Sequence, residues 1–169
     1  LPAEQKGILY NDNYIILCNP FPIFPTHFTL THKEHTPQRI IDTFSDMLDL
    51  SKDLSKHYSV IYNGPRCGAS APDHLHFQAG NKFFMTIDDE FHQIKNEYGK
   101  VIYEDDDVSF YAIDDGVRKF VSIESLDKEL VTNTFNKFYK TYSELMNEEQ
   151  EPMINLISFY EEEFGWRII

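Results

Sequence analysis

The segment His74-Leu-His-Phe-Gln78 holds the residue types in this chain best suited to chemistry. Alternate side chains of a strand share a face, so His74, His76 and Gln78 are expected to point one way. Leu75, Phe77 and Ala79 then point into a core on the other. A loop rich in small residues, Asn63-Gly-Pro-Arg-Cys-Gly-Ala-Ser-Ala-Pro72, precedes them. Such a loop lets backbone N–H groups approach a phosphate closely. Ser70 can add a hydroxyl there, and Arg66 a cation. A neutral imidazole, near its reference pKa of about 6.5, is a competent nucleophile at neutral pH. Attack on phosphorus would split a transfer into two displacements through a phospho-histidine link. Gln78 can donate a hydrogen bond to developing charge but cannot shuttle a proton. That favours transfer to a second phosphate over hydrolysis.

The same pair of histidines also fits a polar sheet face or a metal site. Zinc takes about four ligands, or three and a water. No further Cys or His stands at ligand spacing from this pair, and Gln78 is a poor zinc ligand, so neither a metal nor a cofactor is expected. The acidic runs Asp88-Asp-Glu90, Asp105-Asp-Asp107 and Glu161-Glu-Glu163 lack the alternating pattern of a calcium loop and read as solvated loops.

The elements that must position these groups follow from hydrophobic periodicity. Tyr14–Leu17 and Phe28–Thr31 read as strands, joined by Cys18-Asn-Pro-Phe-Pro-Ile-Phe-Pro-Thr26, whose prolines cannot continue a central ladder. After Pro37, apolar residues from Ile40 to Leu54 recur at helical spacing. Tyr58–Tyr62 is the next strand, and His74–Gln78 closes the block. The order then recurs. Val108–Ile113 and Phe120–Ile123 flank the turn Asp114-Asp115-Gly116, a helix spans Leu126 to Leu145, and Met153–Phe159 and Trp166–Ile169 are strands. Matching elements lie about 92 to 95 residues apart, which suggests a diverged internal duplication. The expected fold class is α+β, an antiparallel sheet with covering helices in two related halves, 1–95 and 96–169. The polar stretch Asn81 to Lys100 is the expected connection.

Composition limits the partners. The 169 residues carry a net charge of -13, with 28 acidic against 15 basic side chains. A surface that acidic repels phosphate backbones, so no DNA or RNA partner is expected. A small phosphorylated ligand is still allowed where donors are concentrated locally. No run approaches the roughly 18 apolar residues of a membrane span, and the opening Leu1-Pro2-Ala3-Glu4 has no signal-peptide character. Cys18 and Cys67 read as free thiols of a reducing, cytoplasmic setting. The chain has no initiating Met and is expected to be a fragment; it also stops inside an apolar strand, so native sequence is expected to continue past Ile169, leaving the second half truncated.

With its flanks, His74-Leu-His-Phe-Gln78 resembles the histidine-triad superfamily, in its nucleotidyltransferase and phosphorylase branch. Members of that branch, such as galactose-1-phosphate uridylyltransferases, dinucleoside tetraphosphate phosphorylases and GDP-galactose phosphorylases, carry His-x-His-x-Gln. Leu17-Cys-Asn-Pro-Phe-Pro-Ile-Phe-Pro-Thr-His-Phe28, followed by Lys33-Glu-His35, is similar to the superfamily's first strand pair, so the likeness spans most of residues 8 to 80. It implies a histidine-triad-like (HIT-like) fold and specific roles. His76 would be the nucleophile, Gln78 would hold a non-bridging phosphate oxygen, and His74 would buttress the site. Asn63 and Ser70 would contact phosphates, and His27 would line the pocket. Asn19 falls where relatives often place an acidic residue on the ribose hydroxyls. The implied activity is nucleotidyl transfer or phosphorolysis of a nucleoside diphosphate sugar through a nucleotidyl-His76 intermediate. The alternatives are a dinucleoside polyphosphate phosphorylase and a non-catalytic nucleotide-binding module. The expected partners are therefore a nucleotide sugar and a phosphate or sugar phosphate, with a homodimer left open.

Overall fold

The computed structural model describes residues 6–146 and 150–169; the opening segment Leu1–Glu4 lies outside them. Thirteen elements follow in chain order. They are β1 Ile8–Tyr10, β2 Tyr14–Cys18, β3 His27–His32, α1 Phe44–Asp53, β4 Tyr58–Asn63, β5 His76–Asn81, α2 Thr86–Tyr98, β6 Gly99–Glu104, β7 Val108–Asp114, β8 Lys119–Ser125, α3 Lys128–Met146, β9 Asn155–Glu161 and β10 Gly165–Ile168. The ten strands form one sheet in the order β1-β2-β3-β5-β4-β9-β10-β8-β7-β6, and every neighbouring pair is antiparallel. The fold is α+β. Three strands, a helix and two strands stand on either side of α2, and the two groups meet at the β4–β9 pair.

Strand alternation sorts side chains between the two faces. Leu30, Val60, Phe77 and Leu156 point to one face, where α1 and α3 supply Phe44, Met47, Val131 and Phe135 to a single core. The Phe44 and Phe135 rings stack there at 3.8 Å. On the other face α2 packs Ile87, Phe91 and Ile94 against Ile113 and Phe159. The remainder of that face, over β3 and β5, meets the proline-rich loop 19–26. Phe24 of this loop lies on Gly80, where a Cβ would come within 2.5 Å of its ring. Only glycine fits that contact.

Two elements differ from the sequence reading. Asn81 to Lys100 is not a bare polar connection, because it contains α2 and the start of β6. Ile87, Phe91 and Ile94 lie four and three residues apart, a one-sided helical stripe in an otherwise acidic segment. Asp88 and Asp89 in its first turn complement the helix dipole. The first helix begins at Phe44, not near Ile40. The Ile40 N–H donates to the Glu151 carboxylate at 2.6 Å, which holds residues before Thr43 out of the helix. The α3 helix starts where expected because Asp127 Oδ1 accepts the N–H groups of Glu129 and Leu130, an N-cap. In the β7–β8 hairpin, Gly116 takes φ +85° and Asp115 Oδ1 accepts the N–H groups of Val117 and Arg118.

Candidate active site

The strand carrying the motif begins at His76, so His74 stands in the turn before it rather than in the ladder. Pairing of β3 with β5 sets Thr31 opposite His76, Thr29 opposite Gln78 and His27 opposite Gly80. Pairing of β4 with β9 sets Asn63 opposite Asn155. These residues lie on the sheet face away from α1 and α3, because Phe77, Ala79 and Tyr62 occupy the core face. Continuing the β4–β5 register beyond Ile61–Gln78 would place Asn63 against His76. One row therefore reads Thr31, His76, Asn63, Asn155 across four strands. The next reads Thr29, Gln78, Ile61, Ile157.

His76 is 5% exposed. Its Nδ1 lies 2.9 Å from the His74 carbonyl oxygen. A carbonyl can only accept, so Nδ1 carries the proton. Nε2 is left with its lone pair. That atom exposes less than 1 Å² and has no hydrogen-bond partner among the described residues. Buried polar atoms are nearly always paired, so an unpaired one calls for an explanation. The His74 ring turns elsewhere: its Nε2 donates to the His32 carbonyl at 2.7 Å and approaches Thr31 Oγ1 at 3.3 Å. It packs edge-on against His35. What His74 supplies to His76 is therefore a backbone carbonyl.

Gln78 is oriented by His27. The His27 Nδ1 accepts the Ile23 N–H at 3.3 Å, so Nε2 carries the proton and donates to Gln78 Oε1 at 2.8 Å. The carboxamide flip is thereby set, and the Gln78 NH₂ has no partner among the described residues. Burial pushes the His27 pKa below its ordinary value, the bond to Gln78 opposing it only in part. The ring is neutral at neutral pH, as both hydrogen bonds require. Asn19 completes this side. Its Nδ2 donates to Thr29 Oγ1 at 3.1 Å, and its Oδ1 accepts the Phe21 N–H at 2.8 Å.

The loop between β4 and β5 is less open than its composition suggests. The Gly64 carbonyl accepts from the N–H groups of Cys67 and Ala69, so two donors of the loop are committed to its own turn. Gly68 takes φ +104°, a backbone conformation that favours glycine. Ser70 is exposed at the outer part of the loop. Arg66 donates to the Glu151 carbonyl at 3.1 Å, and Gly64 N–H donates to Asn155 Oδ1 at 3.1 Å. The structure thus brings His27, Asn19, Asn63, His76 and Gln78 onto one patch, while Ser70 and Arg66 stand on the loop beside it.

Four contributors escaped the sequence reading. Gln38, 2% exposed, accepts the His76 N–H and donates to the carbonyls of His76 and Asn63. Asn155 reaches the patch through the β4–β9 register. Thr31 does so through β3. Glu151 binds Ile40 N–H and the Tyr62 hydroxyl behind the site, and burial raises its pKa, with the Tyr62 bond opposing. No local motif marks any of them, because each arrives by strand pairing or by a loop distant in sequence. Among the described residues, no group of three or more His, Cys, Asp or Glu side chains is placed to hold a metal ion. No helix among them is long and apolar enough to cross a membrane.

Comparison with known proteins places this geometry in a wider setting. A family model described as a domain of unknown function (DUF4922) matches residues 1–81, the part that holds β1 to β5 and the motif. No curated protein matches the sequence. The structure is similar to a DUF4931 family protein from Bacillus cereus, with a TM-score of 0.63 and 17% identity over 97% of this chain and 84% of that one. It is also similar to yeast Ap4A phosphorylase Apa2, with a TM-score of 0.56 and 20% identity over 95% of this chain. The chain spans 57% of the length of the phosphorylase. These likenesses show that the α+β fold of this chain resembles that of both proteins.

Proposed function

We propose that this protein transfers a nucleotidyl group from a nucleoside diphosphate sugar to a phosphate or sugar phosphate through His76. The observation that carries the reading is the His76 imidazole, with its proton held on Nδ1 and a buried, unpartnered Nε2 lone pair. In the first displacement Nε2 attacks the α-phosphorus. The P–N bond forms as the P–O bond to the leaving phosphate breaks, and that oxygen takes the electron pair. The proton stays on Nδ1, hydrogen-bonded to the His74 carbonyl, so the imidazolium character that develops is met by an acceptor. In the second displacement an oxygen of the acceptor phosphate attacks, the P–N bond breaks, and the lone pair returns to Nε2. Neither step requires a general acid: the oxygen that leaves in the first belongs to a weakly basic phosphate, and the group that leaves in the second is the neutral imidazole.

The Gln78 NH₂, aimed by His27, suits a non-bridging oxygen whose negative charge grows in both steps. With Nε2 exposing less than 1 Å², substrate entry has to displace groups that cover it. The element order on either side of α2 supports the reading of two related halves, with the nucleophile in the first. Asn155 would bring the second half to the patch. A second reading, phosphorolysis of a dinucleoside polyphosphate by the same residues, draws on the fold shared with the yeast Ap4A phosphorylase.

Phosphorus NMR of the protein with UDP-glucose or Ap4A and inorganic phosphate tests both. The sugar reading expects UDP and glucose 1-phosphate, and the second expects ADP and ATP. Thermal stabilisation by these nucleotides with no turnover of either would leave only a binding module. At 100 times its dissociation constant a ligand stabilises by about 2.7 kcal/mol, enough to read as a melting shift.

A further inference from the structure

The β4–β5 ladder is regular from Tyr58–Asn81 to Ile61–Gln78 and then stops. The next hydrogen-bonded pair would be Asn63 with His76. Instead the Gln38 carboxamide sits between them. Its Oε1 accepts the His76 N–H at 2.8 Å, and its Nε2 donates to the His76 and Asn63 carbonyls at 2.9 Å each. One side-chain amide thus takes the place of a backbone peptide group of the neighbouring strand. It is held from its own main chain as well. Leu75 N–H donates to the Thr36 carbonyl at 2.7 Å, Gln38 N–H to the Pro72 carbonyl at 3.3 Å, and Ile40 N–H to Glu151 at 2.6 Å. Gln38 therefore meets His76 from a segment fixed on both sides.

We infer that Gln38 is a positioning residue for His76, an inference that rests on His76 being the nucleophile. Two anchors define the imidazole: the Gln38 amide fixes the backbone at residue 76, and the His74 carbonyl fixes the ring through Nδ1. Without the amide, the His76 N–H and two carbonyls lose their partners in a buried site. They recover them only if β4 and β5 zip one pair further, which closes the gap and turns His76 away from its present setting. A displacement of about 1 Å of a reacting group costs on the order of 100-fold in rate.

Nitrogen NMR of the histidine side chains reads the His76 tautomer directly, in the whole chain and with no substrate. Gln38→Met keeps the volume and removes all three bonds. Gln38→Glu keeps the acceptor for His76 N–H but offers no donor until it is protonated. Ser51→Ala is the control, a buried hydroxyl bonded to Ser158 within the core face. The expected result is loss of the pure Nδ1–H signature in Gln38→Met, with labelling by α-phosphate-labelled UDP-glucose or Ap4A slowed about 100-fold and nucleotide affinity changed by less than about threefold. Gln38→Glu, which carries the test if Gln38→Met does not fold, should regain labelling relative to wild type as pH falls from 8 to 6. Ser51→Ala should lose stability and keep the tautomer. An unaltered tautomer and wild-type labelling in Gln38→Met, or a pH-independent Gln38→Glu, would overturn the inference. A wild type that is never labelled, but whose tautomer is lost in Gln38→Met, would overturn the nucleophile reading and leave Gln38's hold on His76 standing.

Discussion

At the scale of single residues, the site depends on which atoms carry protons. His76 Nε2 is available because a backbone carbonyl takes the other ring nitrogen, and Gln78 presents its NH₂ because His27 takes its oxygen. His27→Ala should therefore leave nucleotide binding largely intact and slow transfer about tenfold, near 1.4 kcal/mol, as the Gln78 amide loses its fixed orientation. The check is the rate of nucleotidyl transfer beside the binding constant. His27 also adds a pH dependence to stability. Its folded pKa lies below its unfolded value, so the folded state binds fewer protons below about pH 6.5 and stability falls as pH drops through that window. Replacing it by a residue that does not titrate should remove that part of the slope in urea titrations. Gln78→His would place an imidazole where an amide stood and add a group able to pass protons near neutrality. The labelled protein should then hydrolyse in buffer without acceptor, while the wild-type intermediate persists.

At the scale of elements, β5 from His76 onward and the proline-rich connection were legible, because alternating apolar residues mark the one and prolines the other, whereas the place of His74 in the turn before β5 was not. The helix α2 was not, although Ile87, Phe91 and Ile94 carry its stripe, because the flanking Asn, Asp, Glu and Lys read as a solvated linker. Its underside explains why the chain folds that way. Arg167 Nη2 donates to His92 Nε2 at 2.9 Å and stands over the Phe91 ring, while Glu124 pairs with Lys95 and Arg167. Burial, then the Arg167 charge, lowers the His92 pKa, with Lys95 adding to that and Glu124 and Glu161 opposing. A neutral His92 is required to accept from Arg167, and protonation would set two cations side by side. Stability should fall as pH drops below about 6.5 for this reason too. His92→Gln, which accepts from Arg167 at every pH, should flatten that contribution in denaturation curves run from pH 5 to 8.

At the scale of the molecule, one core runs under both groups of strands and joins Leu30 and Phe77 to Phe135 and Trp166. The α+β class and most strand positions could be read from periodicity. The β4–β9 junction could not, because neither strand carries a signal naming its partner. That junction brings Asn155 and Glu151 to a site whose motif lies some 75 residues earlier. Glu151→Ala would leave the Ile40 N–H and the Tyr62 hydroxyl unpaired in a buried setting, a loss of about 3 kcal/mol. For a chain of this size that is a fall in melting temperature of about 10 °C. Fluorescence of the single tryptophan, Trp166, should report the same transition as far-ultraviolet dichroism, because the halves share the core and unfold together.

The central claim is that His76 carries a nucleotidyl group during turnover. Protein is incubated with α-phosphate-labelled UDP-glucose or Ap4A, quenched, digested and mapped by mass spectrometry. The wild type is expected to show an acid-labile nucleotidyl adduct on the peptide containing His76. His74→Ala should still acquire it, more slowly, because its backbone carbonyl remains. His76→Ala should carry none. An adduct at wild-type level on His76→Ala, or on any other residue of the wild type, would contradict the account.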